Sequence, residues 1–233
     1  MYYLRKKYKN TNFAISRYTT TDYFFKVYIN KTYVNCYNSD VAKDIATQYT
    51  SARTDEIADM EKSLISTIKG LSTCTGQPWH MVNKLFVPIN YDNAFHWVLA
   101  VIALKDRCIR VYDSMAPSRK RKQTSNIEKL AVMIPTYLQY SKFFEHKVPT
   151  DWTALKSYEE KYERDPFQVE YVSEIAQQDS GSLDCGVFVA IYAEYLSEGL
   201  GIPCSSIDAQ YHHLRYSSLL CKYGSEKVEN GYV

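Results

Sequence analysis

Cys185 is the residue of this chain whose setting most suggests chemistry. It follows a polar loop, Gln177-Gln178-Asp179-Ser180-Gly181-Ser182, and stands just before an apolar run, Gly186 to Glu198, that reads as a helix closed by Gly199. A thiol at a helix N-terminus faces unpaired amide donors and the positive end of the dipole, and both favour the thiolate. Gly186 carries no side chain and leaves room for a substrate backbone. A buried structural cysteine is the plainer alternative. What separates the two is a partner, because a catalytic thiolate needs an imidazole, and the imidazole needs an orienting acceptor.

His96 and Asp113 meet that need if the chain between them folds back. His96 through Leu104 and Cys108 to Tyr112 are apolar runs rich in β-branched residues, with Lys105-Asp106-Arg107 as a natural turn. A turn centred on Lys105-Asp106 pairs residue 98 with residue 113, so His96 and Asp113 become diagonal neighbours on one face. Such neighbours stand about 7–8 Å apart at the backbone, within reach of a His–Asp hydrogen bond. A three-residue turn would flip that parity. The other histidines are less suggestive: His80 follows Trp79, His146 ends a polar stretch, and His212 and His213 are adjacent, so they cannot share a helix face. A zinc site from Cys204, His212 and Cys221 lacks a recognised ligand spacing, and no glycine-rich phosphate loop is present. No metal or cofactor is expected.

The surrounding elements must hold these groups. Ile57, Met60, Leu64, Ile65 and Ile68 recur at three- and four-residue steps and predict an amphipathic helix within the polar stretch 39–69. Residues 2–8 read as the end of a helix, and 23–30, aromatic and β-branched, as a short strand or helix edge. Lys84 to Ile89 predicts a strand, and so does Phe167 to Val172. After a basic loop, Asn126 to Tyr140 reads as a helix that Pro135 should kink or divide. A last helix, Asp208 to Tyr223, is capped by Asp208 and stopped at Gly224. Strands in the middle with helices on both sides give an α+β domain.

Composition narrows the function classes. A length of 233 residues suits one domain with a real core. The net charge of +2 gives no global reason to bind nucleic acid or an anionic membrane, and no run approaches a membrane span. Six cysteines without a CxxC pair, behind a polar start that does not read as a signal peptide, fit a reducing compartment with free thiols. The 22 tyrosines beside 9 phenylalanines suit grooves and contact surfaces. The basic runs Arg5-Lys6-Lys7 and Arg119-Lys120-Arg121-Lys122 read as solvated faces, with nuclear import as the sharper alternative.

Two blocks resemble a known family. LFVPINYDNAFHWVLAVIALKDRCIRVYDSM, from Leu85 to Met115, is similar to the central hairpin of the ubiquitin-like-protein-specific cysteine proteases. QQDSGSLDCGVFVAIYAEYL, from Gln177 to Leu196, is similar to the segment around their nucleophile. The resemblance runs from about Tyr2 to Tyr223, is weakest between residues 30 and 80, and is strongest in tone to plant members, many of which accompany transposable elements. It implies a papain-like α+β fold, a central, mostly antiparallel sheet flanked by helices, in one catalytic domain over residues 1–233. It also implies thiol hydrolysis after the C-terminal Gly-Gly of a modifier of the SUMO type, in maturation or deconjugation, and a nuclear or nucleocytoplasmic location.

Residue by residue, the resemblance makes Cys185 the nucleophile, His96 the general base and acid, Asp113 its orienting partner, and Trp97 the flat ring over the modifier's glycine tail. The oxyanion glutamine is offset. The family places it six residues before the cysteine, where this chain has Asp179, whereas counting from Gly181 selects Gln178, with Gln177 in reserve. An amide donates to a developing negative charge and an aspartate repels it. Two further departures bear on substrate grip. Tyr2-Tyr3-Leu4 resembles the tail of the family's first helix, so the segment before it, which carries a second tryptophan wall, is expected to be missing. An insertion around 115–165 is expected to alter the modifier- or target-binding surface. The rival readings are a non-catalytic modifier- or partner-binding module and a cysteine-dependent acyltransferase.

Overall fold

A computed structural model describes Leu4 and residues 17–41, 55–71, 76–91, 95–115, 120–159, 161 and 165–229. The helix expected over residues 2–8 lies outside these, apart from Leu4, which is helical and buried. Five strands make one mixed sheet in chain order: β1 (Tyr18–Thr20), β2 (Lys84–Asn90), β3 (Trp97–Ala103), β4 (Cys108–Tyr112) and β5 (Gln168–Val172). The sheet is antiparallel at its centre, β2–β3–β4, and carries parallel strands at both edges. No described helix is long and apolar enough to cross a membrane.

The β3–β4 hairpin sets the register of the whole site. Leu99 pairs with Tyr112 and Ala103 with Cys108, so the turn centres on Lys105 and Asp106. Leu104–Asp106 form a 3-10 turn closed by Arg107 in the left-handed region (φ 54°). A β-unbranched residue at that φ needs support, and it has it. The Arg107 guanidinium lies over the rings of Tyr158 and Phe167, 5.1 and 5.4 Å from their centroids, and the Tyr158 hydroxyl donates to Leu104 O at 2.8 Å.

One face of the sheet packs on α1 (Tyr23–Val41), α2 (Asp55–Ile68) and α3 (Lys120–Tyr140), with Trp79, Trp152 and Phe143 sealing its far side. The segment expected as a strand or helix edge at 23–30 is the start of α1. Asp22 caps it, accepting from Phe25 N at 3.1 Å, and Phe25 and Ile29, four residues apart, enter the core. Aromatic and β-branched composition favours strand, but burial on the sheet decides for helix. In α2 the buried residues are Met60, Leu64 and Ile68. It ends at Gly70 (φ +75°), where an added Cβ would meet Pro78 N at 2.5 Å.

Helix α3 starts at Lys120, inside the expected basic loop, and runs through Pro135 undivided. Proline cannot donate to the carbonyl four residues back, that of Ala131. Phe167 N donates to it instead, at 3.0 Å. The region 143–159 seals the core with Phe143 and Trp152 and clasps the hairpin tip through Tyr158. This is the end of the hairpin remote from His96 and Asp113.

The opposite face packs on α4 (Cys185–Ser197), whose Phe188, Val189, Tyr192 and Ala193 meet Phe86, Leu99, Val101 and Tyr112. Gly199 (φ +75°) follows α4, and Leu200 N donates back to Tyr195 O at 3.0 Å. Last comes α5 (Ala209–Glu229), capped by Asp208, which accepts from Tyr211 N at 2.9 Å. It passes through Gly224 rather than stopping there. The helix is largely solvent-exposed and none of its residues is fully buried.

Candidate active site

His96 closes the loop that enters β3 and Asp113 leaves β4 at the same end of the hairpin. The His96 side chain is 3% exposed, and its Nε2 lies 2.7 Å from Asp113 Oδ1. A carboxylate can only accept, so Nε2 carries a proton, and in the neutral ring Nδ1 is the nitrogen with the lone pair. That Nδ1 is buried with no hydrogen-bond partner among the described residues. Asp113 Oδ1 also accepts from Met115 N at 2.9 Å, which fixes the carboxylate from behind. The ring of Tyr91 stacks on His96 at 5.9 Å, and burial holds its phenol neutral well above the usual tyrosine range.

Cys185 is the first residue of α4 and is buried. Its Sγ donates to the carbonyl oxygen of Phe95, the residue before His96, at 3.5 Å. Strand end and helix start are thus brought together as the spacing requires. Gly186, next in α4, is exposed, and a Cβ built there meets nothing within 4 Å. The protein itself gives no steric reason for a glycine at this position.

The two glutamines differ in their commitments. Gln177 Nε2 donates to Asp113 O at 3.2 Å and Ile175 O at 3.1 Å, which uses both of its hydrogens. Gln178 Oε1 accepts from Ser114 Oγ at 2.7 Å and its Nε2 donates to Ser182 O at 2.8 Å, which uses one. Asp179 contributes its main-chain oxygen to Ser182 N at 3.0 Å. Trp97 is half-buried, and its indole Nε1 donates to Asn90 Oδ1 at 3.2 Å when that amide is oriented to satisfy both of its ends.

Several neighbours escaped the sequence reading. Tyr23, at the start of α1, lies against Trp97 with ring centroids 5.9 Å apart. Its only sequence signal was the aromatic run Tyr23-Phe24-Phe25. Ser114, which donates to Gln178, lies in the Leu85–Met115 block that carries the family resemblance, directly after Asp113. Asp184 and His213, paired at 2.9 Å, lie too far apart in sequence for spacing to join them. Among the described residues no group of three His, Cys, Asp or Glu is placed to hold a metal ion.

An α+β fold that brings a cysteine at a helix N-terminus up to a carboxylate-bound histidine is the architecture of a cysteine protease. The model of the Ulp1 protease family, C-terminal catalytic domain, matches residues 21–222, and the chain belongs to that family of cysteine proteases. The match starts after the Tyr2-Tyr3-Leu4 segment in which the family's first helix was sought. The "Putative ubiquitin-like-specific protease 1B" of Arabidopsis thaliana is 29% identical over 131 residues, 56% of this chain and 32% of that protein. The chain therefore spans about a third of the length of this relative. Among solved structures, SUMO protease Ulp1 with its catalytic cysteine oxidised to a sulfenic acid matches at 18% identity and a TM-score of 0.46, over 91% of this chain and 68% of its own. The C-terminal Ulp1 protease domain in complex with Smt3, the yeast orthologue of SUMO, matches at 18% identity and a TM-score of 0.37, over 78% and 66%.

Proposed function

We propose that this chain is a cysteine peptidase that hydrolyses the bond after the C-terminal glycine of a ubiquitin-like modifier of the SUMO type. The observation that carries the reading is the buried His96–Asp113 pair at 2.7 Å, with the open Nδ1 on the imidazole and the Cys185 thiol bound to the adjacent Phe95 carbonyl. Family membership supports the reaction class. The choice of modifier is supported by a relative named as a ubiquitin-like-specific protease.

In this reading Nδ1 of His96 takes the Cys185 proton and the thiolate attacks the carbonyl carbon of the modifier's last glycine. The imidazolium, steadied by Asp113, returns the proton to the departing amine. Water, deprotonated by the same imidazole, then hydrolyses the thioester. The oxyanion is assigned to the Cys185 amide and to the second Nε2 hydrogen of Gln178, since both hydrogens of Gln177 are committed elsewhere. Trp97 and Tyr23 are assigned to the walls around the glycine tail, where flat rings admit glycine and reject side chains. The open face at Gly186 is assigned to the passing substrate backbone.

The test is a panel of SUMO, ubiquitin and NEDD-type modifiers carrying an electrophile at the C-terminal glycine, with Cys185→Ala as control. The expected result is an adduct with the SUMO-type probe that disappears in the variant. Tight probe binding without an adduct, from a folded chain, would replace the peptidase by a binding module. Transfer from an acyl-coenzyme donor that depends on Cys185 would replace it by an acyltransferase.

A further inference from the structure

Asp184 stands at the N-cap of α4, immediately before Cys185, with φ −83° and ψ 0°. Aspartate is among the strongest N-cap residues because its carboxylate accepts from the second and third amides of the helix. Here those belong to Gly186 and Val187. Asp184 makes no such bond. Its Oδ1 lies instead 2.9 Å from Nε2 of His213, on α5. Val187 N and Phe188 N donate to the main-chain oxygen of Asp184, at 2.8 and 3.0 Å. The amides left open at this end, among the described residues, are those of Cys185 and Gly186.

We infer that His213 is a positioning residue for Cys185: it anchors the Asp184 carboxylate on α5, so that this charge neither caps α4 nor faces the forming thiolate uncompensated. The inference rests on Cys185 being the nucleophile. Two negative charges on consecutive residues disfavour each other, and a capping carboxylate would take up the donors that a thiolate or an oxyanion needs. The imidazole holds the Asp184 carboxyl below the usual carboxylate range, so the charge is present throughout neutral pH. The His213 side chain is 52% exposed and that of Asp184 28%, so the pair contributes little to folding and its value is geometric.

Helix α5 is built to deliver this contact. It has no buried residue, and its described ties to α4 are polar. Arg215 makes a two-pronged bond to Glu194, both arms at 2.7 Å, and Tyr216 donates to the same carboxylate at 2.8 Å. His213 lies two residues before Arg215 and meets α4 at its opposite end. The charged and titratable groups that the described contacts place at this end of α4 are Asp184, from the cap, and His213, from α5, with His96 and Asp113 at the neighbouring hairpin end, while Glu194 and Arg215 pair at the other end of the helix.

The experiment follows the iodoacetamide reaction of Cys185 against pH, read by mass spectrometry of the peptide that contains it, in folded full chains. His213→Ala is expected to move the thiolate midpoint up by about one unit and slow alkylation at pH 7 several-fold. His213→Gln, whose Nε2 still donates to the carboxylate, is expected to stay near the parent. Adding Asp184→Asn to His213→Ala is expected to restore the parent midpoint, which a merely structural loss would not allow. A parent-like profile in His213→Ala, or a shift that survives Asp184→Asn, overturns the inference while leaving the nucleophile in place. An ordinary thiol profile already in the parent chain overturns both.

Discussion

The two faces of the sheet are held in different ways. Toward α1, α2 and α3 the chain buries a continuous apolar layer that includes Trp79 and Trp152, each 1% exposed. Toward α4 and α5 the apolar layer is smaller, and α5 contributes no fully buried residue. The candidate chemistry sits at one end of the β3–β4 hairpin, where α4 begins, and single hydrogen bonds orient its side chains. Burial is spread over many contacts and tolerates local loss, whereas one polar contact either orients a group or does not. Scaffold and site should therefore fail separately.

The largest separation is expected from Asp113→Asn. Loss of the acceptor that fixes the His96 tautomer should lower turnover of the responsive modifier by roughly 10³–10⁴-fold, with the denaturant midpoint nearly unchanged. A fall of less than tenfold would show that Asp113 does not orient the base. Trp152→Ala should do the reverse. It removes a side chain packed 4.9 Å from Phe143 and should cost about 3–5 kcal/mol in denaturant unfolding, while Cys185 in the folded fraction alkylates at the parent rate. Glu194→Gln cuts the tie between α4 and Arg215 and should cost about 1–2 kcal/mol, with faster amide exchange confined to α5. Exchange that rises equally on the other face would mean the two faces are not independent.

The smallest effect belongs to a corner far from the site. His80 and His146 stack with centroids 3.9 Å apart, beside Ile68, Lys69 and Phe143. Burial first, and then the neighbouring imidazole, hold His80 below its ordinary value of 6.5. A lowered folded-state value means that the unfolded chain binds the proton more tightly, so stability is lost as pH falls through the ordinary histidine range. Between about pH 7.5 and 5.5 the melting temperature should fall slightly, and His80→Asn should flatten that slope in thermal melts. A steeper acid slope in the variant would contradict the assignment.

Much of this was legible in the residues, for identifiable reasons. The hairpin followed from two apolar runs rich in β-branched residues and from a turn whose centre fixes the pairing of positions 98 and 113, and α2 followed from its three- and four-residue spacing. Helix α1 was not legible, because its aromatic and β-branched composition fits a strand equally well until the sheet surface chooses. The choice between Gln177 and Gln178 was open in the sequence because one residue is offset before Cys185. It narrows when their hydrogens are counted in space. Tyr23 against Trp97, and His213 against Asp184, join residues from distant elements, and no local pattern encodes such meetings.

Pro135 was read as a breaker and is better understood as an address. By withholding one hydrogen bond from its helix, it leaves the Ala131 carbonyl for Phe167 N, the residue directly before β5. Strand β5 joins β4 in parallel after a long connection, so no tight turn dictates where along β4 it must lie. A gap of one acceptor in a neighbouring helix supplies the missing mark, and sliding β5 by one residue would leave that carbonyl unanswered. Pro135→Ala would lengthen the helix's own ladder and, by the same stroke, erase the landmark by which the sheet's last strand finds its place.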